Sequence, residues 1–305
     1  MASVPPPLAL ATVLWRGRAT PALEIGEALY RLAPLWRKVG GGRLSGIVDL
    51  FADWAGSKAR LAKAAAAAGA AERLPPGLPR LAPLLYPGKV LCAGANYHRH
   101  LQEMGVADTR KETQRLFFFF KPPKNAVVGE GATVRMPIGT KAMDWEVELA
   151  LVIGTTARNV SPEQAMAHVA AYTVAIDFSA RDHNRAPETF YKLDWVAGKA
   201  NDTCCPMGPR LVLAEGLANP GDTKLSLAVN GVVKQDDTTA DMIFPIAEQI
   251  STLSKIMTLD PGDVLLTGTP AGVGAPMQTY IAVGDTVEAN IAGIGKLSVT
   301  IHPPG

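Results

Sequence analysis

A short apolar stretch that carries two acidic residues limits what this chain can fold into more than any other feature of the sequence. Asp144–Ile153 reads Asp-Trp-Glu-Val-Glu-Leu-Ala-Leu-Val-Ile and lies between Gly139 and Gly154. Its β-branched and aliphatic content predicts a strand that enters a core. Because alternate side chains of a strand share a face, Glu146 and Glu148 are expected to point the same way.

Two carboxylates side by side at the mouth of a buried strand repel each other and are costly to remove from water. A divalent cation that takes oxygen ligands would neutralise them. The alternative is an edge strand with a solvated acidic face, which is common for an isolated Glu-x-Glu. A lone acid, Asp177, lies near the end of the apolar run Tyr172–Phe178 and offers a third oxygen ligand.

The composition is that of a globular chain and gives no sign of a nucleic-acid or membrane partner. Of the 305 residues 48% are hydrophobic and 19% charged, the net charge is only +2, and the basic residues are dispersed. No run approaches the roughly 18 apolar residues of a transmembrane helix, and the N-terminus lacks a basic leader segment. We therefore expect a cytoplasmic protein.

The cysteine pattern predicts neither a disulfide framework nor a zinc site. The count is odd, two of the residues are adjacent, and the spacing fits no zinc motif. A reducing compartment and small buried thiols are the simpler interpretation. The residues concerned are Cys92, Cys204 and Cys205.

Two domains are predicted, a small N-terminal domain over residues 1–80 and a larger one over 81–305. The chain is long enough for this division. The segment Leu74–Pro83 is rich in proline and cannot continue a helix, so it is typical of a linker.

Local patterns predict the elements of the first domain. Leu8–Trp15 and Ala22–Ile25 are expected to form a hairpin. Helical spacing follows at Glu27–Trp36 and, more strongly, at Ile47–Ala71.

The larger domain contains an acid and an imidazole at helical spacing. His100 and Glu103 would lie on one face, since residues three apart are neighbours on a helix. A carboxylate beside an imidazole raises its basicity and fixes its orientation, as a general base for water requires. A surface pair explains the local pattern equally well. Lys199 stands among small residues, where it could stabilise developing negative charge or be an ordinary surface lysine.

Four further segments carry predictions. Phe117–Phe120, stopped by prolines, is expected to be core, and Val229–Val232 contains the Asn-Gly signal of a hairpin. The glycine-rich loop Thr267–Gly274 offers backbone amides to a carboxylate or phosphate but lacks the Lys-Ser/Thr pair of a P-loop. Thr189–Trp195 could line an apolar distal pocket or simply pack.

Five motifs in one order resemble the fumarylacetoacetate hydrolase family, and within it the acylpyruvate hydrolase and 2-hydroxyhepta-2,4-diene-1,7-dioate isomerase branch. The resemblance covers roughly residues 88 to 302, and the N-terminal 80 residues match only as a small, variable leading domain. The motifs are Gly94-x-Asn96-Tyr97-x-x-His100-x-x-Glu103, Asp144-Trp145-Glu146-x-Glu148-Leu149, Ile176-Asp177-x-Ser179-Ala180-Arg181-Asp182, Lys199, and Leu266-Thr267-Gly268-Thr269-Pro270.

The resemblance implies a β-rich α+β fold, with a mixed β-roll as the C-terminal domain and a small α/β domain before it. It also implies a homodimer with one divalent cation per subunit, Mg²⁺ or Mn²⁺. Glu146, Glu148 and Asp177 would hold the cation, and water or the oxygens of a pyruvoyl-type substrate would complete its shell. The fourth acid of fumarylacetoacetate hydrolase itself would fall near Ala93, so this chain is similar to the three-carboxylate type.

The same resemblance assigns roles to residues around the cation. His100 and Glu103 would form a catalytic dyad on a helix that orders over the site, and Lys199 would stabilise developing negative charge. Relatives often carry glutamine where this chain has Asn184. The substrate-binding residues would be Arg181, Asn184, Gly268 and Thr269.

We therefore predict an enzyme that hydrolyses a C–C bond of an acylpyruvate or related β-diketo acid, through a metal-stabilised enolate and water activated by His100 and Glu103. The alternative is a decarboxylase or keto–enol isomerase of 2-oxo dicarboxylates on the same metal site. A non-catalytic binding protein is the third hypothesis. The intact set of carboxylates argues against it.

Overall fold

Strands dominate the fold, as predicted for a β-rich α+β protein. The structure, a computed structural model, describes residues 8–305. Its strands are β1 (Leu8–Trp15), β2 (Arg18–Ile25), β3 (Ala28–Arg31), β4 (Arg80–Leu81), β5 (Val90–Gly94), β6 (Phe117–Lys121), β7 (Val127–Val128), β8 (Thr133–Arg135), β9 (Met143–Asp144), β10 (Val147–Ile153), β11 (Val169–Ile176), β12 (Ser179–Ala180), β13 (Cys205–Leu213), β14 (Lys224–Val229), β15 (Val232–Thr238), β16 (Val264–Leu266), β17 (Thr286–Ile291) and β18 (Gly295–His302).

The helices are short and lie between the strands. The α-helices are α1 (Leu32–Lys38), α2 (Trp54–Ala66), α3 (His98–Glu103), α4 (Pro162–Ala165), α5 (Arg181–Asn184), α6 (Trp195–Lys199) and α7 (Ile246–Ile256). Single 3₁₀ segments occupy Ile47–Asp53, Lys111–Thr113, Met166–His168, Ala214–Gly216, Thr239–Asp241 and Ala275–Met277.

Two large sheets form the scaffold. The first has 11 strands and runs β3-β2-β1-β13-β11-β10-β16-β5-β6, with β4 beside β1 and β7 beside β13. The second has five strands in the order β15-β14-β17-β18-β8, and β9 pairs with β12 in a small ladder. The first sheet is mixed, because β16 and β5 are parallel whereas β10 is antiparallel to both of its neighbours.

Strand β10 lies inside the first sheet and is buried along its whole length. Leu149 and Leu151 belong to a core shared with the five-stranded sheet, whereas Ala150 and Val152 pack into a second core with α1 and α2. A strand covered on both faces needs apolar residues at every position, which explains the near-continuous apolar run. The predicted core strand is confirmed.

The N-terminal segment extends the same sheet. β1 pairs with β13, with Ala9 opposite Val212, and one hydrophobic cluster contains both Leu35 of α1 and Val90 of β5. The domain boundary at residue 80 stays a prediction.

The local predictions for the first 80 residues hold in part. The β1–β2 hairpin is confirmed, with its turn at Arg16 and Gly17. The helix predicted over Ile47–Ala71 begins as a 3₁₀ segment and ends at Ala66. The helix predicted over Glu27–Trp36 is wrong in its first half: Gly26 has φ +61°, which reverses the chain so that β3 pairs with β2.

All three cysteines are free and buried, as the sequence indicated. Within residues 8–305 no helix has both the length and the apolar character needed to cross a membrane.

The structure confirms the predicted β14–β15 hairpin. Its turn leads to a prediction about stability. Its loop residues Asn230 and Gly231 have φ of 52° and 76°. Gly231→Ala should lower the free energy of unfolding by about 1–2 kcal/mol, because a Cβ strains this backbone conformation. Gly42→Ala, at an exposed glycine with open space and no such φ, is the matched control. Urea unfolding measures the free energy of unfolding of both variants, and an equal loss in the two would show that the backbone conformation of Gly231 does not require glycine.

Candidate active site

Three acidic side chains meet where β10 and β11 lie side by side. Val147 pairs with Ile176, and the Asp177 N–H donates to the Glu146 carbonyl at 2.9 Å. This register brings the carboxylates of Glu146, Glu148 and Asp177 together, with one oxygen of each within 4.8 Å of the others. All three residues are at most 4% exposed. The structure therefore groups the residues predicted as metal ligands.

Lys199 bridges two of these acids. Its Nζ lies 2.6 Å from Glu146 Oε2 and 2.7 Å from Asp177 Oδ2. Burial disfavours the charged ammonium, but Asp177 and Glu146 outweigh this cost and raise the pKa of Lys199. The lysine is thus a buried cation and not the surface residue that its sequence context also allowed.

A second lysine, Lys121, holds Asp177 from the other side. Its Nζ lies 2.7 Å from Asp177 Oδ1 and donates to the carbonyls of Phe178, Lys199 and Cys204 at 2.6–3.0 Å. Its side chain is fully buried. Since both oxygens of Asp177 face an ammonium group, this carboxylate is fixed in orientation.

Arg181 links Glu146 to a further buried acid, Asp144. Its Nη2 lies 2.6 Å from Glu146 Oε1, and its Nε lies 2.8 Å from Asp144 Oδ2. Asp144 also accepts from the Gly274 N–H at 2.7 Å. Burial opposes ionisation of Glu146, but Lys199 and Arg181 outweigh it and lower the pKa of that carboxyl.

Glu148 differs from its two neighbours. It accepts the Gly268 N–H at 2.5 Å, and within residues 8–305 no lysine or arginine forms an ion pair with it. Burial raises the pKa of Glu148 well above its usual range, and the charges of Asp177 and Glu146 add to the effect. A buried carboxylate beside two others needs another positive charge nearby, so the donor set fits a divalent cation with oxygen ligands.

The predicted dyad forms on α3. His100 Nδ1 lies 2.7 Å from Glu103 Oε1, and Glu103 Oε2 accepts the Gly272 N–H at 2.7 Å. A carboxylate only accepts hydrogen bonds, so this contact places the ring hydrogen on Nδ1 and leaves Nε2 as an acceptor. The spacing prediction for this pair is confirmed.

Gln235 on β15 ties the carboxylate strand to the glycine-rich loop. Its Oε1 accepts the Val147 N–H at 2.9 Å, while its Nε2 donates to Thr269 Oγ1 at 2.9 Å and to the Pro270 carbonyl at 2.8 Å. Thr269 Oγ1 in turn donates to the Val147 carbonyl at 2.9 Å. One fully buried amide thereby fixes the loop against the residue between the two glutamates.

A cavity of about 220 Å³ joins the acids to the dyad. Of the residues predicted to bind substrate, Arg181 and Thr269 line it, and the Gly268 N–H is taken by Glu148. Asn184 is not among the lining residues, and its amide donates to the Asp194 carbonyl at 3.2 Å. The walls consist of Ala93, Gly94, Ala95, His100, Leu101, Met104, Phe117, Phe119, Glu146, Glu148, Arg181, Trp195, Lys199 and Thr269.

Several of these features have no clear signal in the sequence. Lys121 and Gln235 stand in strand-like segments, where a buried polar residue looks like any solvated one. The prediction that Phe117–Phe120 is core is wrong for Phe117 and Phe120, which are 36% and 51% exposed. The physical reason is that β6 is an edge strand, so its faces are incompletely covered.

Comparison with known proteins identifies the family. Residues 89–302 match the family described as fumarylacetoacetate (FAA) hydrolase C-terminal. A mitochondrial oxaloacetate tautomerase FAHD2A of Bos taurus is 39% identical over 229 residues, which are 73% of this chain and 70% of the relative.

Solved structures share the fold. A 2-hydroxyhepta-2,4-diene-1,7-dioate isomerase from Mycobacterium marinum is 29% identical, with a TM-score of 0.73 over 98% of this chain and 99% of that one. A fumarylpyruvate hydrolase from Pseudomonas aeruginosa, in complex with Mn²⁺ and pyruvate, is 34% identical, with a TM-score of 0.64 over 70% of this chain and 89% of that one.

The ion pair between Lys121 and Asp177 leads to a prediction about stability. Lys121→Met should lower the free energy of unfolding by about 3–5 kcal/mol, because it removes one partner of a buried pair. Lys58→Met removes an exposed pair with Glu215 and should cost far less. Urea unfolding of both variants measures the difference, and a similar loss in both would show that Asp177 does not depend on Lys121.

The donor set leads to a prediction about metal binding. Glu148→Gln should weaken Mn²⁺ binding by at least about 10-fold in isothermal titration calorimetry, because it removes a charged ligand while keeping the side-chain volume. Glu130→Gln changes a half-buried carboxyl group outside the cluster and is the control. Unchanged Mn²⁺ affinity in Glu148→Gln would remove Glu148 from the ligand set.

Proposed function

The chain belongs to the fumarylacetoacetate hydrolase family, and on that premise we propose that it hydrolyses a C–C bond of an acylpyruvate or related β-diketo acid in the presence of a divalent cation. The observation that carries the proposal is the His100–Glu103 contact in the same cavity as the buried carboxylates. Hydrolysis requires a base for water, and this pair has the geometry of one.

The chain's own residues account for the proton transfers and the charge. His100 Nε2 takes a proton from water, and the water oxygen adds to the carbonyl carbon of the acyl group. The bond between that carbon and the methylene carbon of the pyruvoyl part then breaks, and the electron pair leaves with the methylene carbon. The proton that His100 took from water is then returned to that carbon, which gives pyruvate, and the acyl group leaves as a carboxylic acid. Glu103 keeps the imidazole oriented throughout.

The acidic cluster would hold the cation, and its partners would position the substrate. Glu146, Glu148 and Asp177 are the ligands proposed for Mg²⁺ or Mn²⁺. When bound, such an ion supplies Lewis-acid polarisation of the oxygens of a 2-oxo acid. Lys199 lines the cavity as a charged group and would stabilise negative charge on the departing pyruvoyl part. Thr269 is the proposed contact for the substrate carboxylate.

Keto–enol isomerisation of a 2-oxo dicarboxylate is the second candidate. It is favoured by the 39% identity to an oxaloacetate tautomerase. Isomerisation moves a proton between the methylene carbon and the oxygen of the 2-oxo group and consumes no water. His100 could carry that proton as well, so the two candidates differ in their products and not in the residues used.

A homodimer belongs to the same proposal. Phe190 and Tyr191 are 90% and 82% exposed, and their rings lie 5.0 Å apart. Contiguous exposed apolar patches mark association surfaces, and we infer that this aromatic pair belongs to one.

The proposed base leads to a test by product analysis. His100→Asn should reduce metal-dependent pyruvate release from acetylpyruvate by roughly 10²–10⁴-fold, the usual contribution of general base catalysis, while Mn²⁺ affinity is retained. The wild type should lose the activity with chelator and regain it with Mg²⁺ or Mn²⁺. Pyruvate and the free acid are measured together, with oxaloacetate as the second substrate.

His168→Asn, a substitution outside the cavity, is the matched control and should leave pyruvate release unchanged. Stoichiometric acetate and pyruvate from the wild type would support hydrolysis. If the protein enolises oxaloacetate but releases no pyruvate from any acylpyruvate, the result would support the second candidate, keto–enol isomerisation. Failure to bind Mn²⁺ and to turn over either substrate would favour a non-catalytic protein.

A further inference from the structure

Three aromatic side chains form a continuous strip in the cavity wall. Phe119 and Trp195 are stacked, with ring centroids 5.2 Å apart and planes 20° apart. Trp195 also meets Phe117 at 5.4 Å in a tilted arrangement. We call Phe119, Trp195 and Phe117 the aromatic strip.

The strip begins at the charged end of the cavity and runs outwards. Lys199 Nζ lies 5.0 Å from the Phe119 ring centroid, so the inner ring adjoins the lysine that bridges the acids. Phe119 is 8% exposed, whereas Trp195 and Phe117 are both 36% exposed. Exposure therefore increases along the strip, as it would in a wall that leads from the acids to the mouth of the cavity.

Secondary structure and one glycine build the strip. Phe117 and Phe119 alternate along β6 and share a face. Trp195 and Lys199 are four residues apart on α6, whose first turn is capped by the Asp194 carboxylate accepting from a backbone N–H at 2.9 Å. Gly94 on β5 lies opposite Phe117, and a Cβ there would overlap the Phe117 ring.

Within residues 8–305, the lysine and arginine side chains that line the cavity are already paired with carboxylates. Among its lining residues the lysine and arginine side chains are Lys199 and Arg181. Each already forms ion pairs with two carboxylates, Lys199 with Glu146 and Asp177, and Arg181 with Glu146 and Asp144. Apart from His100, Thr269 and the two glutamates, the other side chains of the wall are apolar. A carboxylate at the outer end of a substrate would lose water without gaining a cationic partner from this wall.

We propose that the aromatic strip binds the distal group of the substrate and selects a flat, uncharged group, aryl or conjugated enoyl, over a group that ends in a carboxylate. This inference rests on the proposed function, because it assumes that the 2-oxo acid end lies at the carboxylate cluster. Flat π-systems stack on aromatic rings, whereas a carboxylate is repelled by the negative ring faces. Leu101 on α3 and Met104, directly after that helix, add apolar surface to the same cavity.

The size of the cavity is consistent with a compact substrate. Its volume of about 220 Å³ is below the roughly 300–1,000 Å³ of pockets for drug-sized ligands. The strip would therefore select by shape as well as by charge, and one ring or one short conjugated chain is the expected limit.

Binding of 2-oxo acids that cannot be hydrolysed tests the proposal without relying on turnover. We would titrate the full chain loaded with Mn²⁺ in a calorimeter with 2-oxobutanoate, 2-oxo-4-phenylbutanoate and 2-oxoglutarate. The phenyl compound should bind about 10-fold more tightly than 2-oxobutanoate, the lower end of the discrimination that hydrophobic pockets achieve. The dicarboxylate should bind no more tightly than 2-oxobutanoate.

Variants locate the effect on the strip. Trp195→Leu and Phe117→Leu should each remove most of the advantage of the phenyl compound and leave 2-oxobutanoate affinity unchanged. Phe120→Leu, in the same strand but outside the cavity, should preserve the advantage. Because Phe117 lies on β6 and Trp195 on α6, the Phe117 variant keeps the test valid if Trp195→Leu fails to fold.

Two outcomes would overturn the inference in distinguishable ways. If 2-oxobutanoate binds but 2-oxoglutarate is the tightest ligand, or if the strip variants keep the preference for phenyl, the strip does not select the distal group and the proposed function stands. If none of the three compounds binds, the assumption that the site takes 2-oxo acids fails, and the inference fails with it.

Discussion

Buried charge is the constraint on which the rest of this structure depends. Four carboxylates and three cations lie at the ends of β10 and β11, where water cannot screen them. Each oxygen of Glu146 and Asp177 faces a lysine or arginine nitrogen, whereas Glu148 accepts a backbone N–H and has no ion pair with a lysine or arginine within residues 8–305. Every carboxylate of the network except Glu148 is therefore paired with a lysine or arginine. A divalent cation would supply the positive charge that Glu148 lacks, and the surrounding ion pairs would keep the proposed ligands in place for it.

Rigid elements around this network fix the other reacting groups. Glu148 lies on β10, Glu146 directly precedes that strand, Asp177 directly follows β11, and α3 carries the proposed base. The loop that presents Thr269 is fastened to Val147 through Gln235, so a displacement of the loop would disturb the residue between two proposed metal ligands. Thr269, the proposed substrate contact, and the strand that carries the proposed metal ligands are thus parts of one hydrogen-bonded unit. Such coupling holds reacting groups in a fixed relative geometry, which is a main source of enzymatic rate enhancement.

The sequence predicts this site unevenly, for physical reasons. Strand periodicity was sufficient to bring Glu146 and Glu148 to one place, and helical periodicity to pair His100 with Glu103, because both depend on local geometry. Lys121 could not be recognised, since its role comes from a tertiary contact with Asp177 across the fold. The prediction that Phe117–Phe120 is core fails at Phe117 and Phe120, because periodicity shows which residues share a face but not whether a neighbouring element covers that face. The motifs indicated the family, and the structure shows how the side chains of the site are arranged.

The pairing of β1 with β13 limits how far the chain can be shortened from its N-terminal side without exposing a sheet edge. The family match begins at residue 89, yet β13 is completed on its outer side by strands from the first 31 residues. A fragment reduced to the matched region would leave an unpaired sheet edge beside an uncovered apolar face. Such edges recruit other chains, so the fragment would be prone to aggregate even with every active-site residue intact. The strands of the leading segment therefore cover a sheet edge of the family-matched region that other copies of the chain would otherwise pair with.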